Sequence, residues 1–408
     1  MVLTLGIGLE IIDRRHGTTR KGSGIRNNMR HKLLHTSDWQ IGKVFRFVDD
    51  GTMGLLQEAR LAAVTRLGEL AVEYGVRHVL VAGDVYDMEA LSPRSLNQPM
   101  ERMRKFEKVS WHLMPGNHDP HRPHGLWDQI MRRGVPDNVI VHLTPEPKVF
   151  ESDGFAVLPA PLQYRRTLQD PTAFMDHAET PEGIIRIGLA HGTITGFGSV
   201  DKDIPNYISP DRPNSAKLSY LALGDWHGQK KINNRVWYSG THETDAFDVE
   251  GGGQALLVEV EGPSATPIVT PVKTGRYRWV TLREQINSRE EIDALKTTLR
   301  GSGEDLNCIL LRLIIEGAVS LKDRQYFEEQ IIHKISAAFG YLRVDDTRLF
   351  PSPSKEDLDK IDRGGFVRTA ADVLKQKAED MSDPEHEIAA LALQRLYVEH
   401  MKLQTRSQ

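Results

Sequence analysis

The chain has 408 residues, 39% hydrophobic and 26% charged, which is the composition of a globular protein and excludes a fibrous or wholly disordered one. Its 52 Lys and Arg against 56 Asp and Glu give a formal charge of −4, which excludes a histone-like polycation but leaves room for a local basic groove. The single cysteine, Cys308, excludes an intrachain disulfide and a multi-cysteine zinc site; no apolar run reaches about 18 residues, so no membrane span is expected, and a reducing cytoplasm is the expected location.

Residues 1–29 place Arg14, Arg15, Arg20 and Lys21 after a short apolar start, the reverse of a secretory signal. They are expected to be a disordered tail or an upstream-start artefact, since Met29 directly precedes the first strand. From residue 30 to 273 short apolar runs alternate with polar or glycine-rich turns. Leu33 to Ser37 reads as a strand ending in Asp38, and Leu55 to Tyr74 as a helix with apolar residues at spacings of three and four. His78–Ala82 runs into Gly83-Asp84, and Val109–Met114 into Pro115-Gly116-Asn117-His118-Asp119. Ile185–Ala190 runs into His191-Gly192, and Tyr220–Leu223 into Gly224-Asp225-Trp226-His227. Gln254 to Lys273 reads as hairpin strands. A compact βαβ unit is expected between about Arg276 and Pro351, with strands at Ile309–Ile315 and Tyr341–Val344 around an amphipathic helix at Lys322–Phe339. Pro351-Ser352-Pro353 reads as a linker. The tail, 353–408, is expected to be helical over Phe366–Lys377 and again from Asp383-Pro384-Glu385, a cap with proline in the first turn.

In α/β sheets, ligand sites lie outside the carboxyl ends of the strands, so these polar strand ends are expected to converge on one rim. Asp38, Asp84, Asn117, His191 and His227 are hard-to-borderline metal ligands, and carboxylate with imidazole suits Mn²⁺, Fe²⁺ or Zn²⁺. Two such ions would clamp the oxygens of an in-line phosphoryl displacement and generate a hydroxide at neutral pH. Asp38 and Asp84 fit the bridging positions, because only carboxylates bring the charge and lone pairs to hold two cations. Gly83 and Gly116 are read as allowing sharp turns at the strand ends.

Ser37-Asp38-Trp39-Gln40, Gly83-Asp84-Val85-Tyr86-Asp87, Gly116-Asn117-His118-Asp119, His191-Gly192 and Gly224-Asp225-Trp226-His227 resemble the five motifs of calcineurin-like metallophosphoesterases. The phrase His35-Thr36-Ser37-Asp38-Trp39 and the domain that follows resemble the bacterial SbcD DNA-repair exonucleases. The resemblance implies an α/β, four-layer sandwich of two mixed β-sheets flanked by helices (30–273), a small α/β capping domain that recognises DNA (274–352), and a C-terminal helical tail that binds an ATPase (353–408). It implies two divalent ions, Mn²⁺ first and Mg²⁺ as the alternative, cleavage of DNA phosphodiesters, an SbcC-like coiled-coil ATPase as partner, and a homodimer.

Carried onto this sequence, the resemblance makes Asp38 and Asp84 bridging ligands, gives Asn117 and His191 to one ion and His227 to the other, and makes His118 the group that protonates the leaving oxygen or steadies the phosphate, oriented by Asp87. Two positions depart from the pattern: Gln40 stands where a histidine is usual, and so does Asp225. Gln40 is then expected as a weak neutral ligand and Asp225 as a hard charged one. Basic and aromatic residues trail the motifs. Lys43, Phe45, Arg46 and Phe47 follow the first, Arg122 the third, and Lys230 and Lys231 the last; Lys43, Arg46, Arg122, Lys230 and Lys231 are the expected DNA contacts. The alternatives are a small-molecule phosphodiesterase or phosphatase on the same scaffold, and a catalytically weak DNA-binding scaffold subunit.

Overall fold

The computed structural model describes residues 31–194, 205–303, 305–351, 365–380 and 382–406. The tail expected at 1–29 lies outside them, as do Ser352 and Pro353 of the expected linker. In chain order the first elements are β1 (His31–Thr36), α1 (Asp50–Tyr74), β2 (His78–Val81), α2 (Pro93–Arg104), β3 (Ser110–Leu113), α3 (Leu126–Arg133), β4 (Val139–Val141), β5 (Lys148–Phe150), β6 (Phe155–Ala160) and β7 (Ile185–His191). They are followed by β8 (Thr193–Ile194), β9 (Tyr207–Ile208), α4 (Arg212–Ser215), β10 (Tyr220–Gly224), β11 (Lys230–Lys231), β12 (Val236–Tyr238), β13 (Gln254–Val260) and β14 (Ile268–Lys273).

Two six-stranded mixed sheets form a sandwich. The first runs β14-β13-β1-β2-β3-β4, with β1 to β4 parallel; the second runs β11-β12-β10-β7-β6-β5, with β12, β10, β7 and β6 parallel. Their central strands are buried at nearly every position because both faces are covered. Leu34, Val79, Val81, Trp111 and Leu113 meet the helical layer through Leu61, Val64 and Leu67 of α1. Leu33, Leu80, Leu256 and Val258 face the second sheet's Val157, Ile187 and Ala222. α1 begins where Asp49 accepts the Thr52 N–H at 3.0 Å, and stops at Gly75, whose left-handed backbone (φ 65°) returns its N–H to the last turn.

The expected βαβ unit keeps its bounds but holds one more strand and one more helix than the sequence suggests. β15 (Arg278–Ile286), α5 (Arg289–Arg300), β16 (Ile309–Val319), α6 (Leu321–Phe327) and β17 (Tyr341–Pro351) form an all-parallel sheet in the order β15-β16-β17. The uninterrupted helix expected at 322–339 is α-helical only at its start; it widens to a π-helix over Glu328–Ile335 and ends in a 3₁₀ turn. Pro351 closes β17 rather than opening a linker. α7 (Phe366–Glu379) and α8 (His386–Arg406) pack against each other, and α8 also touches β16. No helix among the described residues is long and apolar enough to cross a membrane.

Between the sheets, three imidazoles form a file. His78 Nδ1 lies 3.0 Å from His112 Nε2, and His112 Nδ1 lies 3.0 Å from His142 Nε2. Phe150 and Phe155 wall the file in. Burial lowers His78 and His142 to a pKa of about 4, and His112 well below the ordinary value. The unfolded chain takes up these protons below pH about 6.5 while the folded chain refuses them until about 4, so stability falls as pH falls through that window. Urea unfolding in EDTA should show a steeper loss between pH 6.5 and 4 for wild type than for His112→Gln, by up to about 1.4 kcal/mol per pH unit for each imidazole released. Identical slopes would mean that the file does not resist protonation.

Candidate metal centre

The carboxyl ends of β1, β2, β3, β7 and β10 meet along one rim. Several loop residues there are forced into the left-handed backbone region without being glycine: Asp38 (φ 53°), Gln40 (φ 39°), Asp84 (φ 53°) and Asp225 (φ 103°). Such residues are uncommon and persist where their surroundings over-determine them. The first two loops are laced together, since the N–H groups of Asp38, Gln40 and Ile41 donate to the carbonyls of Gly83, Asp84 and Val85 at 3.1, 2.8 and 2.9 Å. Gly83 has the expected left-handed turn (φ 83°). Gly116 is glycine for a different reason: a Cβ there would lie 2.2 Å from Asp84 Oδ1.

Asp38, Asp84 and His191 each bring one ligand atom to within 4.8 Å of the others, and all three are buried. His191 donates from Nδ1 to the Ala82 carbonyl at 2.8 Å, which turns Nε2 toward Asp84 Oδ1 (3.5 Å) and Asp225 Oδ1 (3.7 Å). Asn117 donates from Nδ2 to Asp225 Oδ1 at 2.7 Å, and Thr193 Oγ1 donates to the other Asp225 oxygen at 2.9 Å. His191 Nε2 and Asn117 Oδ1 are then buried with no hydrogen-bond partner. Buried polar atoms are normally satisfied; two orphans beside three carboxylates fit a divalent cation. The field agrees. Burial alone would lower the pKa of His191, yet Asp84, Asp38 and Asp225 raise it to about 9, so the site draws positive charge.

The other half of the site is built differently. His227 Nε2 lies 4.0 Å from Asp38 Oδ1, and its Nδ1 sits 2.8 Å from Asp245 Oδ2. Burial would raise the Asp245 carboxyl, but the His227 bond and the charges of His227, Arg60 and Lys43 hold it far below the usual range. Gln40 does not offer its amide oxygen to a metal as expected. Lys43 Nζ donates to Gln40 Oε1 at 2.7 Å, and Gln40 Nε2 faces inward, 3.2 Å from His227 Nε2 and 3.4 Å from Asp84 Oδ2. Lys43 itself points into the site rather than outward to a DNA backbone, because Asp245 Oδ2 accepts from it at 2.7 Å.

His118 stands beside the carboxylates. Its backbone N–H donates to Asp84 Oδ1 at 2.8 Å. Its ring Nδ1 donates to the carbonyl oxygen of Asp87 at 2.9 Å, with the Asp87 carboxylate at 3.6 Å. Asp87 is thus adjacent as expected, but its main chain makes the hydrogen bond. Of the other basic residues, Arg46 is exposed, Arg122 pairs with Glu89 at 3.4 Å, Lys230 lies over the Trp226 ring at 4.6 Å, and Lys231 lies over Trp237 at 5.4 Å.

Several supporting residues are missing from the sequence-based set. Arg60 of α1, buried, donates to the carbonyls of Trp39 (2.8 Å), Asp38 (2.9 Å) and Glu243 (2.9 Å) and to Thr241 Oγ1 (3.0 Å). Asp119 accepts the N–H groups of Gly116 (2.7 Å) and Tyr86 (3.0 Å), fixing the loop that presents Asn117 and His118. Thr241, Glu243 and Asp245 follow β12 on a sixth strand end, where an apolar run, Gly240 and buried polar residues repeat the pattern of the other five.

Residues 31–205 match the family model for calcineurin-like phosphoesterases. The chain is similar to the uncharacterized metallophosphoesterase YhaO of Bacillus subtilis (strain 168), 24% identical over 244 residues, which are 56% of this chain and 57% of that protein. It therefore spans somewhat more than half the length of the curated relative it matches. It is also similar to TT1561 of Thermus thermophilus, at 12% identity and a TM-score of 0.39, over 60% of this chain and 100% of that one. The left-handed Asp38 and Asp84 and the orphaned ligand atoms of Asn117 and His191 all lie within the stretch that matches the calcineurin-like phosphoesterase model.

Proposed function

We propose that the protein is a metal-dependent DNA nuclease of the SbcD type that hydrolyses phosphodiesters together with a coiled-coil ATPase. The observation that carries the hydrolytic part is the pairing of orphaned Asn117 Oδ1 and His191 Nε2 with a neighbouring imidazole, His118, whose Nδ1 is already committed to the Asp87 carbonyl. When bound, a divalent ion supplies Lewis-acid charge and a nucleophilic hydroxide. Asp38, Asp84, Asn117, His191 and Asp225 would hold it. His118 keeps Nε2 for the substrate, where an imidazole can pass a proton to the leaving oxygen near neutral pH.

Nucleic acid is favoured over a small phosphoester by the surface next to the ligands. Trp226, flanked by Asp225 and His227, is 53% exposed, and an exposed ring beside a cleavage site is a stacking platform for a base. Arg46, Arg122, Lys230 and Lys231 line the same loops and suit phosphates. Mn²⁺-dependent digestion of a linear duplex is the expected activity, lost in Asn117→Ala. Hydrolysis of bis(p-nitrophenyl) phosphate with intact DNA would make the protein a small-molecule phosphodiesterase; DNA binding without any cleavage would make it a scaffold.

The tail is proposed as the ATPase-binding region, and the working unit as a homodimer. Ala371, Ala389 and Leu393 are buried in the α7–α8 pair, while Phe366, Val373, Ile388 and Leu391 remain exposed. An apolar face of that kind suits a partner helix pair. Deleting residues 354–408 should abolish co-purification of the ATPase and leave metal-dependent cleavage in place. Retained co-purification would put the partner surface elsewhere.

A further inference from the structure

The two halves of the metal centre are unequal in a way that bears on how many ions it takes. On one side the ligand atoms of Asn117 and His191 are buried without partners. On the other, every side-chain polar atom of Gln40 and His227 is engaged, although Asp245 Oδ1 behind them is buried without a partner. Lys43 reaches this side because its own N–H closes a turn onto the Gln40 carbonyl at 3.1 Å through Gly42 (φ 91°). Its side chain is only 23% exposed, and Nζ rests 2.7 Å from both Gln40 Oε1 and Asp245 Oδ2.

An ammonium has donors and no acceptor, so the Gln40 atom it touches has to be the oxygen. That fixes the amide. Nε2 is left facing His227 Nε2 at 3.2 Å and Asp84 Oδ2 at 3.4 Å, and an amide nitrogen carrying two hydrogens does not ligate a cation. His227 Nε2 accepts one of those hydrogens while Nδ1 donates to Asp245.

We propose that Lys43 is a resident cation standing in for a second metal: it holds the Gln40 amide with its nitrogen inward, so that the centre takes one divalent ion, at Asp38, Asp84, Asn117, His191 and Asp225, in place of the two expected from sequence. The inference rests on reading the site as a metal centre. Removing the ammonium frees Gln40 to turn its oxygen inward, which with Asp38, Asp84 and His227 completes a second ligand set.

The test is a Mn²⁺ titration of the metal-free protein, followed by calorimetry and electron paramagnetic resonance. Wild type should bind one equivalent with an uncoupled Mn²⁺ spectrum. Lys43→Met should bind two, with an exchange-coupled spectrum and an affinity at the second site raised about 10–100-fold, the range typical of residues that orient a ligand. Lys43→Arg, which keeps the donor and the charge, should remain at one. Two coupled ions in wild type would overturn the role of Lys43 and leave the metal centre standing. No Mn²⁺ in any of the proteins would remove the metal centre itself. The wild-type count decides the matter alone if Lys43→Met does not fold.

Discussion

His118→Ala should bind metal as the wild-type protein does and lose hydrolysis by about 10²-fold or more, the usual contribution of a positioned general acid. The separation of the two effects follows from which atoms do what. The contact from residue 118 to Asp84 runs through the backbone N–H at 2.8 Å, and alanine keeps it. Asp84 therefore stays aimed at the cation, and Asn117, whose partner is Asp225, is untouched. The imidazole alone is lost, and with it the Nε2 that would face the substrate. Asp87→Ala should cost far less, within several-fold, because the carbonyl of residue 87 rather than its carboxylate receives the Nδ1 bond. Turnover of a phosphodiester at saturating Mn²⁺, measured beside a metal titration of each variant, separates these cases. Wild-type turnover in His118→Ala would remove the residue from the mechanism, and loss of metal would recast it as a ligand.

The contrast between His118 and Gln40 shows what a sequence can and cannot carry here. The five motif loops are legible because each ends a strand buried on both faces, and such a strand is a short apolar run stopped by Gly, Asp, Asn or His. Position at a strand end then gives convergence on one rim. Orientation is another matter. The Gln40 amide is set by Lys43, and Lys43 by Asp245, 202 residues further on; no local spacing encodes that bond. Similar limits apply to the elements. α2 carries Pro93 and Pro99, which break a helical pattern, and α3 is only 8 residues long. β15 interleaves Arg278, Thr281, Arg283 and Glu284 with its apolar residues, as an edge strand does. Arg60, by contrast, was legible in principle. It lies on the buried stripe of α1 with Leu56, Ala63 and Leu67, and an arginine among apolar positions of a long helix calls for a buried partner.

Arg60→Met should destabilise the fold by about 3–5 kcal/mol, the cost of leaving a buried charge partner uncompensated, and should weaken metal binding by more than about 10-fold. Methionine replaces the length and apolar bulk of the side chain, so the packing of α1 survives and the loss isolates the guanidinium. That group donates to the Asp38, Trp39 and Glu243 carbonyls and to Thr241 Oγ1. Thr241 Oγ1 in turn donates to the Asp38 carbonyl at 2.9 Å. The left-handed turn at Asp38 is therefore held from two sides, and the segment leading to Asp245 is held by the same fork. Without it several buried acceptors lose their donor at once, each costing about 1–3 kcal/mol when unsatisfied, and Asp245 keeps only His227 and Lys43. Arg60→Lys retains the charge but cannot span the four acceptors, because an ammonium is a point donor and not a planar fork; it should recover part of the stability and less of the metal affinity. Urea unfolding of metal-free protein reads the first effect and Mn²⁺ titration the second. Arg60→Met with wild-type stability would show that the segments at Asp38 and Asp245 hold without the guanidinium. Arg60→Met with wild-type metal affinity would confine Arg60 to the fold and take it out of the positioning of Asp38.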